Sequence, residues 1–184
     1  MSNINEKCLE VFPGWLRTMD EDVQVLLHVL EGQEVGGEAR RFLTGGINYL
    51  FKSLDLIPDG IDDIGYLDDA FVLRMAARST IEGEIGAVPP DLMGKLGRLA
   101  NDTEILQEFL GADIFSRLDK YTRDLRKGAA RGRTVDEILE NKDVFRQFKA
   151  EVEGFVKEYR SPGFSKDEKN LVKLKAFFEA KLPK

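Results

Sequence analysis

The sequence has one cysteine and one histidine among its 184 residues. Because Cys8 has no second cysteine to pair with, an intramolecular disulfide is impossible, and a reducing cytoplasm is the simplest expected location. His28 lies beside the apolar face of a predicted helix without a Ser or Cys motif, so a packing role is favoured over a catalytic one.

No apolar run approaches the roughly 20 residues that span a bilayer, and the first residues lack the layout of a signal peptide. We therefore expect a soluble protein.

The sequence also has few features that are typical of phosphate or nucleic-acid binding. It carries a formal net charge of -6, which disfavours a polyanionic partner, and it contains no P-loop, G-x-G-x-x-G or G-x-S-x-G motif. Residues 117–133 are the exception, with seven basic and two acidic side chains. Such a segment is most often a solvated helix end. The alternatives are contact with phosphate or RNA and docking on the acidic loop, residues 55–69, of another copy.

Apolar residues recur at three- and four-residue steps along most of the chain, and no segment alternates with period two. This periodicity predicts an all-α protein, a single multi-helix bundle over residues 1–184. Residues 39–80 are predicted to form a central helical hairpin around an acidic loop, with the helices of 87–184 packed on it or extending from it. We expect Pro13 to interrupt the first helix, and Gly45 and Gly46 to mark close helix packing. Residues 66–82 are apolar nearly all round, which is typical of a helix in the middle of a bundle.

Two segments near the C-terminal end match the capping-box pattern, in which Ser or Thr is followed three residues later by Glu. They begin at Thr134 and at Ser165. In such a box the two side chains satisfy each other's free backbone N–H groups. Each is therefore predicted to start a helix.

The most unusual stretch is residues 55–69, which holds six carboxylates and no basic residue. One interpretation is structural, because Asp serves turns and helix starts, and Asp68 and Asp69 stand where the buried helix should begin. The alternative is a hard-cation site, since carboxylates without a nearby His or Cys suit Mg²⁺, Mn²⁺ or Ca²⁺ better than zinc. The candidate ligands are Asp55, Asp59, Asp68 and Asp69, with Asp62 and Asp63 as secondary candidates.

The spacing of this stretch does not fit an EF-hand. Aligned from Asp55, the third position of the loop is Ile57 and the twelfth is Tyr66, so one interior ligand and the bidentate Glu are both missing. Any cation site here must therefore have a less regular geometry.

Two motifs in the same region resemble the YkvA-like family, a widespread bacterial domain of unknown function. They are Leu54-Asp55-Leu56-Ile57-Pro58-Asp59 and Ile64-Gly65-Tyr66-Leu67-Asp68-Asp69-Ala70. The resemblance covers roughly residues 39–80 and implies two helices around a D-x-I-P-D … G-Y-x-D-D loop. It picks out Asp55, Pro58, Asp59, Gly65, Asp68 and Asp69, whereas Asp62 and Asp63 are additions of this sequence, and Ser53 and Gly60 depart from the usual pattern. The family has no settled activity, so the resemblance implies a site and no reaction.

Two functions are therefore considered from the sequence. The first is a non-enzymatic binding or scaffold module that uses the acidic loop to dock a protein partner or a second copy. The alternative is a divalent-metal-dependent enzyme that acts on a phosphate-containing substrate, with Arg74 or Arg78 meeting the anion. The two differ in whether the carboxylates converge on one point or serve separate helix ends.

Overall fold

The computed structural model describes residues 3–32, 34–53, 55–61 and 63–184. These residues form a bundle of α-helices, which confirms the predicted all-α class. The helices are α1 (Ile4–Arg17), α2 (Met19–Glu31), α3 (Gly37–Asn48), α4 (Leu67–Glu82), α5 (Pro90–Asn101), α6 (Thr103–Leu110), α7 (Ala112–Asp124), α8 (Val135–Glu140), α9 (Lys142–Glu158) and α10 (Glu168–Lys181). Short 3₁₀ turns at Tyr49–Phe51 and Leu125–Lys127 and a hairpin of strands β1 (Ala129–Ala130) and β2 (Arg133–Thr134) connect some of them. None of these described helices has both the length and the apolar content that crossing a bilayer requires.

Helix α4 lies at the centre of the bundle. It packs against α3 and α5 most extensively, and also against α1, α2, α6 and α7. Nearly all of its side chains are buried, which confirms the central position predicted from its apolar sequence.

The contact between α3 and α4 depends on a glycine. A Cβ atom on Gly46 would lie 2.5 Å from the Cβ of Ala76, and one on Gly45 would lie 2.8 Å from the backbone of Leu125. Both distances are far below a normal carbon–carbon contact of about 3.5–4.0 Å. The prediction that these glycines mark close packing is therefore confirmed.

Two predicted helix boundaries are wrong. Helix α1 continues through Pro13 and ends at Arg17, because Phe12, Trp15 and Leu16 bury one face of this turn in the core. The capping box at Thr134 is present, with Glu137 as its partner. The box predicted at Ser165 is absent.

Helix α10 is capped by a different residue instead. Asp167 accepts a hydrogen bond from the N–H of Lys169 at the start of α10. The side chain of Ser165 makes a tertiary contact with the acidic loop, which is described below.

Candidate metal centre

The acidic loop connects the 3₁₀ turn at Tyr49–Phe51 to the start of α4. Its backbone is folded by successive turns, in which the N–H of Ile61 donates to the carbonyl of Pro58 at 3.1 Å and the N–H of Gly65 donates to that of Ile61 at 2.9 Å. A side chain at Gly65 would collide with the carbonyl oxygen of Asp59. Glycine at this position therefore allows the loop to fold back, so that Asp59 returns to the N-terminus of α4.

Three carboxylates converge as a result. Asp59, Asp68 and Asp69 each place one carboxylate oxygen within 4.8 Å of the others. Asp68 and Asp69 lie in the first turn of α4, as the sequence predicts. Asp68 is fully buried and Asp69 is 3% exposed, whereas Asp59 is at the surface. The group therefore extends from solvent into the protein interior.

Tyr49, which no sequence motif indicates, holds Asp68 in place. The Tyr49 hydroxyl donates to Oδ2 of Asp68 at 2.6 Å, and the N–H of Ile57 donates to the same oxygen at 3.2 Å. The Tyr49 hydroxyl in turn accepts a hydrogen bond from the N–H of Leu56 at 2.7 Å. The other oxygen of Asp68, Oδ1, is buried and has no hydrogen-bond partner among the described residues.

Asp55 lies beside this group. It is half-buried and its Oδ1 also has no hydrogen-bond partner among the described residues. Burial raises its pKa to about 7, and the charges of Asp68 and Asp59 add to the effect, whereas Lys52 opposes it. Asp55 is thus electrostatically coupled to the three converging carboxylates without being one of them.

Burial also raises the pKa of the three converging carboxylates. The pKa of Asp68 rises to about 6, although the hydrogen bonds from Tyr49 and Ile57 lower it in part. The pKa of Asp69 rises well above its ordinary value through burial and the charge of Asp68, and burial raises that of Asp59. No ion pair reaches Asp55, Asp59, Asp68 or Asp69 from the described basic residues. Apart from the charge of Lys52 near Asp55, the negative charge of this group is left to be balanced by bound protons or a bound cation.

The two secondary candidates do not join the group. Asp62 lies outside the described residues. Asp63 accepts hydrogen bonds from the N–H and the hydroxyl of Ser165, at 3.1 and 3.0 Å, and these bonds lower its pKa. Asp63 therefore anchors the segment before α10 to the loop.

Arg74 is not positioned to meet an anion at the loop. Its side chain is completely buried, where it binds Asp22 at 3.3 Å and Asp102 at 2.9 Å. Its guanidinium carbon lies 4.1 Å from the centre of the Trp15 ring. A buried cation must be paired, so Arg74 is committed to this network. The anion-binding role considered for it is not supported.

Arg78 is engaged as well. It pairs with Glu82 at 2.9 Å, one helical turn away on α4, and its guanidinium carbon lies 5.2 Å from the centre of the Phe115 ring. The anion contact considered for Arg78 stays a prediction.

The basic segment 117–133 is occupied by contacts within the chain. Arg117 donates to the carbonyls of Glu179 and Leu182, at the C-terminal end of α10. The other arginines form ion pairs, namely Arg123 with Glu82 and Asp119, Arg126 with Glu38, and Arg131 and Arg133 with Glu151. These contacts join α10, α4, α3 and α9 to the segment, so its arginines have structural partners within the chain.

Cys8 is fully buried, as its place on an apolar helix face indicates. Burial raises the pKa of its thiol to about 12, so it remains protonated and behaves as a small apolar residue.

Comparisons with models of known protein families, with curated proteins and with solved structures found no match. Function is therefore inferred from the geometry and charge of the carboxylates themselves.

Proposed function

We propose that this protein is a non-enzymatic binding module whose acidic loop holds one divalent cation, Mg²⁺, Mn²⁺ or Ca²⁺. The observation that carries the proposal is the convergence of Asp59, Asp68 and Asp69 within 4.8 Å. Metal–oxygen distances of about 2.0–2.6 Å place opposite ligands of one ion about 4–5 Å apart. The three carboxylates therefore fit within a single coordination shell.

The chemistry of the donors supports a hard cation. All three side chains offer oxygen, and no described His or Cys belongs to the group, a set that suits Mg²⁺, Mn²⁺ or Ca²⁺. The unpartnered Oδ1 of Asp68 supplies a buried acceptor, and a divalent ion would balance charge on three carboxylates that form no ion pair with a described arginine or lysine. Because Asp59 is at the surface, the cation would enter from its side.

A binding module fits the structure better than a phosphate-ester enzyme. Metal-dependent phosphoryl chemistry ordinarily uses Arg or Lys beside the ion to hold the anionic substrate. Arg74 and Arg78, which the sequence offers for this purpose, bind Asp22, Asp102 and Glu82 instead. We therefore favour a loop that the cation orders for docking on a protein partner or a second copy.

The proposal includes membership of the YkvA-like family and a cytoplasmic location. The family assignment is supported by the loop motif, in which Gly65 and the converging aspartates have a structural explanation. The location is supported by Cys8, which stands alone and is buried as a protonated thiol.

Thermal unfolding of chelator-stripped protein, with and without each cation, tests the proposal. A cation that binds only the folded protein stabilises it by about 2.7 kcal/mol at a hundredfold excess over Kd. For a chain of this length that corresponds to a rise in Tm of about 5–11 °C.

The variants Asp59→Asn and Asp63→Asn provide a matched pair within one loop. Asp59→Asn should abolish the rise because it removes a ligand. Asp63→Asn should keep it, because Asp63 binds Ser165 and Asn tolerates the positive φ of 70° at this position. The absence of a shift with all three cations, or an equal shift in both variants, would refute the metal site.

A further inference from the structure

The Tyr49 hydroxyl has one proton, and its two hydrogen-bond partners determine which of them receives that proton. The ring is 1% exposed. Since the oxygen already accepts from the N–H of Leu56, its own proton is free to donate to Oδ2 of Asp68, 2.6 Å away. The Tyr49 ring is also held from the side by Tyr121, with ring centres 6.3 Å apart at 87°.

The two oxygens of Asp68 consequently have different roles. Oδ2 accepts from two donors, the Tyr49 hydroxyl and the N–H of Ile57, and both donors are buried. Oδ1 has no hydrogen-bond partner among the described residues. Any cation that binds Asp68 without breaking these bonds must bind through Oδ1 alone.

We infer that Tyr49 is a positioning residue that restricts Asp68 to one-oxygen coordination and thereby makes the site select Mg²⁺ or Mn²⁺ over Ca²⁺. This inference rests on the proposed cation site. The hydroxyl acts through Asp68 and does not touch the ion.

The selectivity follows from the coordination chemistry of the two kinds of cation. Ca²⁺ takes six to eight oxygens in a flexible shell and commonly uses both oxygens of a carboxylate. Mg²⁺ requires a near-octahedral shell with short bonds, and it keeps several waters beside a few carboxylates. Two-oxygen coordination by Asp68 would pull Oδ2 away from Tyr49 and Ile57, which would leave buried donors without an acceptor. The site therefore penalises the coordination that Ca²⁺ prefers.

The test measures Kd for Mg²⁺, Mn²⁺ and Ca²⁺ by calorimetry in wild type, Tyr49→Phe and Tyr159→Phe. Loss of a hydrogen-bonding partner of a metal ligand typically lowers affinity 10–100-fold. We expect this loss for Mg²⁺ and Mn²⁺ in Tyr49→Phe, with a smaller loss for Ca²⁺, so the preference for Mg²⁺ over Ca²⁺ falls about tenfold or more. Tyr159→Phe removes a hydroxyl that also donates at 2.6 Å, but to the carbonyl of Leu16. It should leave the preference unchanged.

The outcomes separate this inference from the proposed function. If wild type binds no cation saturably, both are refuted. If wild type binds but prefers Ca²⁺, or if folded Tyr49→Phe keeps the wild-type preference, the inference alone is refuted. A change in the preference for Mg²⁺ over Ca²⁺ that is confined to Tyr49→Phe would support the inference, because a merely structural role of Tyr49 would not produce such a change.

A measurement on wild type alone covers the case in which Tyr49→Phe does not fold. The buried Tyr49 hydroxyl proton should give a slowly exchanging NMR resonance in the metal-free protein, and this resonance should persist after Mg²⁺ is added. Its disappearance on Mg²⁺ binding would show that the Tyr49–Asp68 bond breaks, and would refute the inference.

Discussion

Raising the pH of the cation-free protein should destabilise it, because the carboxylates at the start of α4 have no basic partner. The pKa of Asp68 is raised from 3.8 to about 6 and that of Asp55 to about 7. When the pKa of a group is higher in the folded than in the unfolded state, its contribution to stability is complete below the unfolded value. That contribution is lost as the pH rises through the folded value. The loss therefore runs from about pH 4 to pH 7.

The magnitude follows from these shifts. Between pH 5 and pH 8, Asp68 loses about one pKa unit of differential interaction, on the order of 1 kcal/mol. Asp55 loses about two units, but it is only half-buried, so solvent screening reduces its share to about 1–2 kcal/mol. The two charges interact, so the contributions do not add fully, and we expect these two groups to contribute about 2 kcal/mol. For 184 residues this corresponds to a fall in Tm of about 4–8 °C.

Circular dichroism melts in chelator at pH 5 to 8 provide the assay. Asp63, Glu82 and Glu151 have lowered pKa values, so the stability they contribute is lost only as the pH falls through those values. They therefore do not mask the change above pH 5.

Asp68→Asn is the matched variant for this experiment. Its amide oxygen can still accept from Tyr49 and Ile57, while its NH₂ replaces the unpartnered oxygen. The variant should therefore lose less stability than wild type between pH 5 and pH 8, and should no longer respond to Mg²⁺. A wild-type Tm that is constant or rises over this range would refute the reasoning.

Two further predictions concern the core. Gly46→Ala should destabilise the protein by about 1–3 kcal/mol through overpacking against Ala76. Its control is Gly97→Ala on α5, where a Cβ would meet nothing within 4 Å, so this variant should be neutral or stabilising. Urea melts in which Gly46→Ala is as stable as Gly97→Ala would refute the close contact. Arg74→Met should cost about 2–4 kcal/mol because it removes the buried one of the two cations that pair with Asp22 and leaves only the half-exposed Arg98. Arg78→Met loses a partly exposed pair and should cost less than about 1 kcal/mol. Equal melting temperatures for these two arginine variants would contradict the buried network.

The fold could be predicted from the sequence because its signals are local. The all-round apolar pattern of α4 and the glycines of α3 report directly on burial and close approach, and both are confirmed. The helix boundary expected at Pro13 is wrong because contacts with distant parts of the chain decide this position. The rings of Phe12 and Trp15 lie 5.2 and 5.9 Å, centre to centre, from the ring of Phe71 on α4, and tertiary burial of this kind overrides the low helix propensity of proline.

The site was predictable only in part, because its bonds connect distant positions. The first-turn placement of Asp68 and Asp69 follows from the start of α4. The contact between Tyr49 and Asp68 spans 19 residues, that between Asp63 and Ser165 spans 102, and that between Arg74 and Asp22 spans 52. No periodicity or motif reports such pairs. A resemblance to a family can indicate Asp59 and Asp68, but it does not indicate the tyrosine between the helices.

Burial also changes the expected sign of the electrostatic effect at the start of α4. An exposed carboxylate in the first turn of a helix gains about 0.3–1 kcal/mol from the helix dipole, which would lower its pKa. Here burial raises the pKa of Asp68 and Asp69, so desolvation outweighs the dipole and the hydrogen bonds together. Capping and cation binding are therefore not alternatives at this position. A carboxylate in the first turn stabilises an exposed helix end, but when the same carboxylate is buried its negative charge is left unbalanced. Because Tyr49 and Ile57 satisfy only one oxygen of Asp68, the other oxygen is available to accept from a water molecule, to bind a proton or to bind a cation.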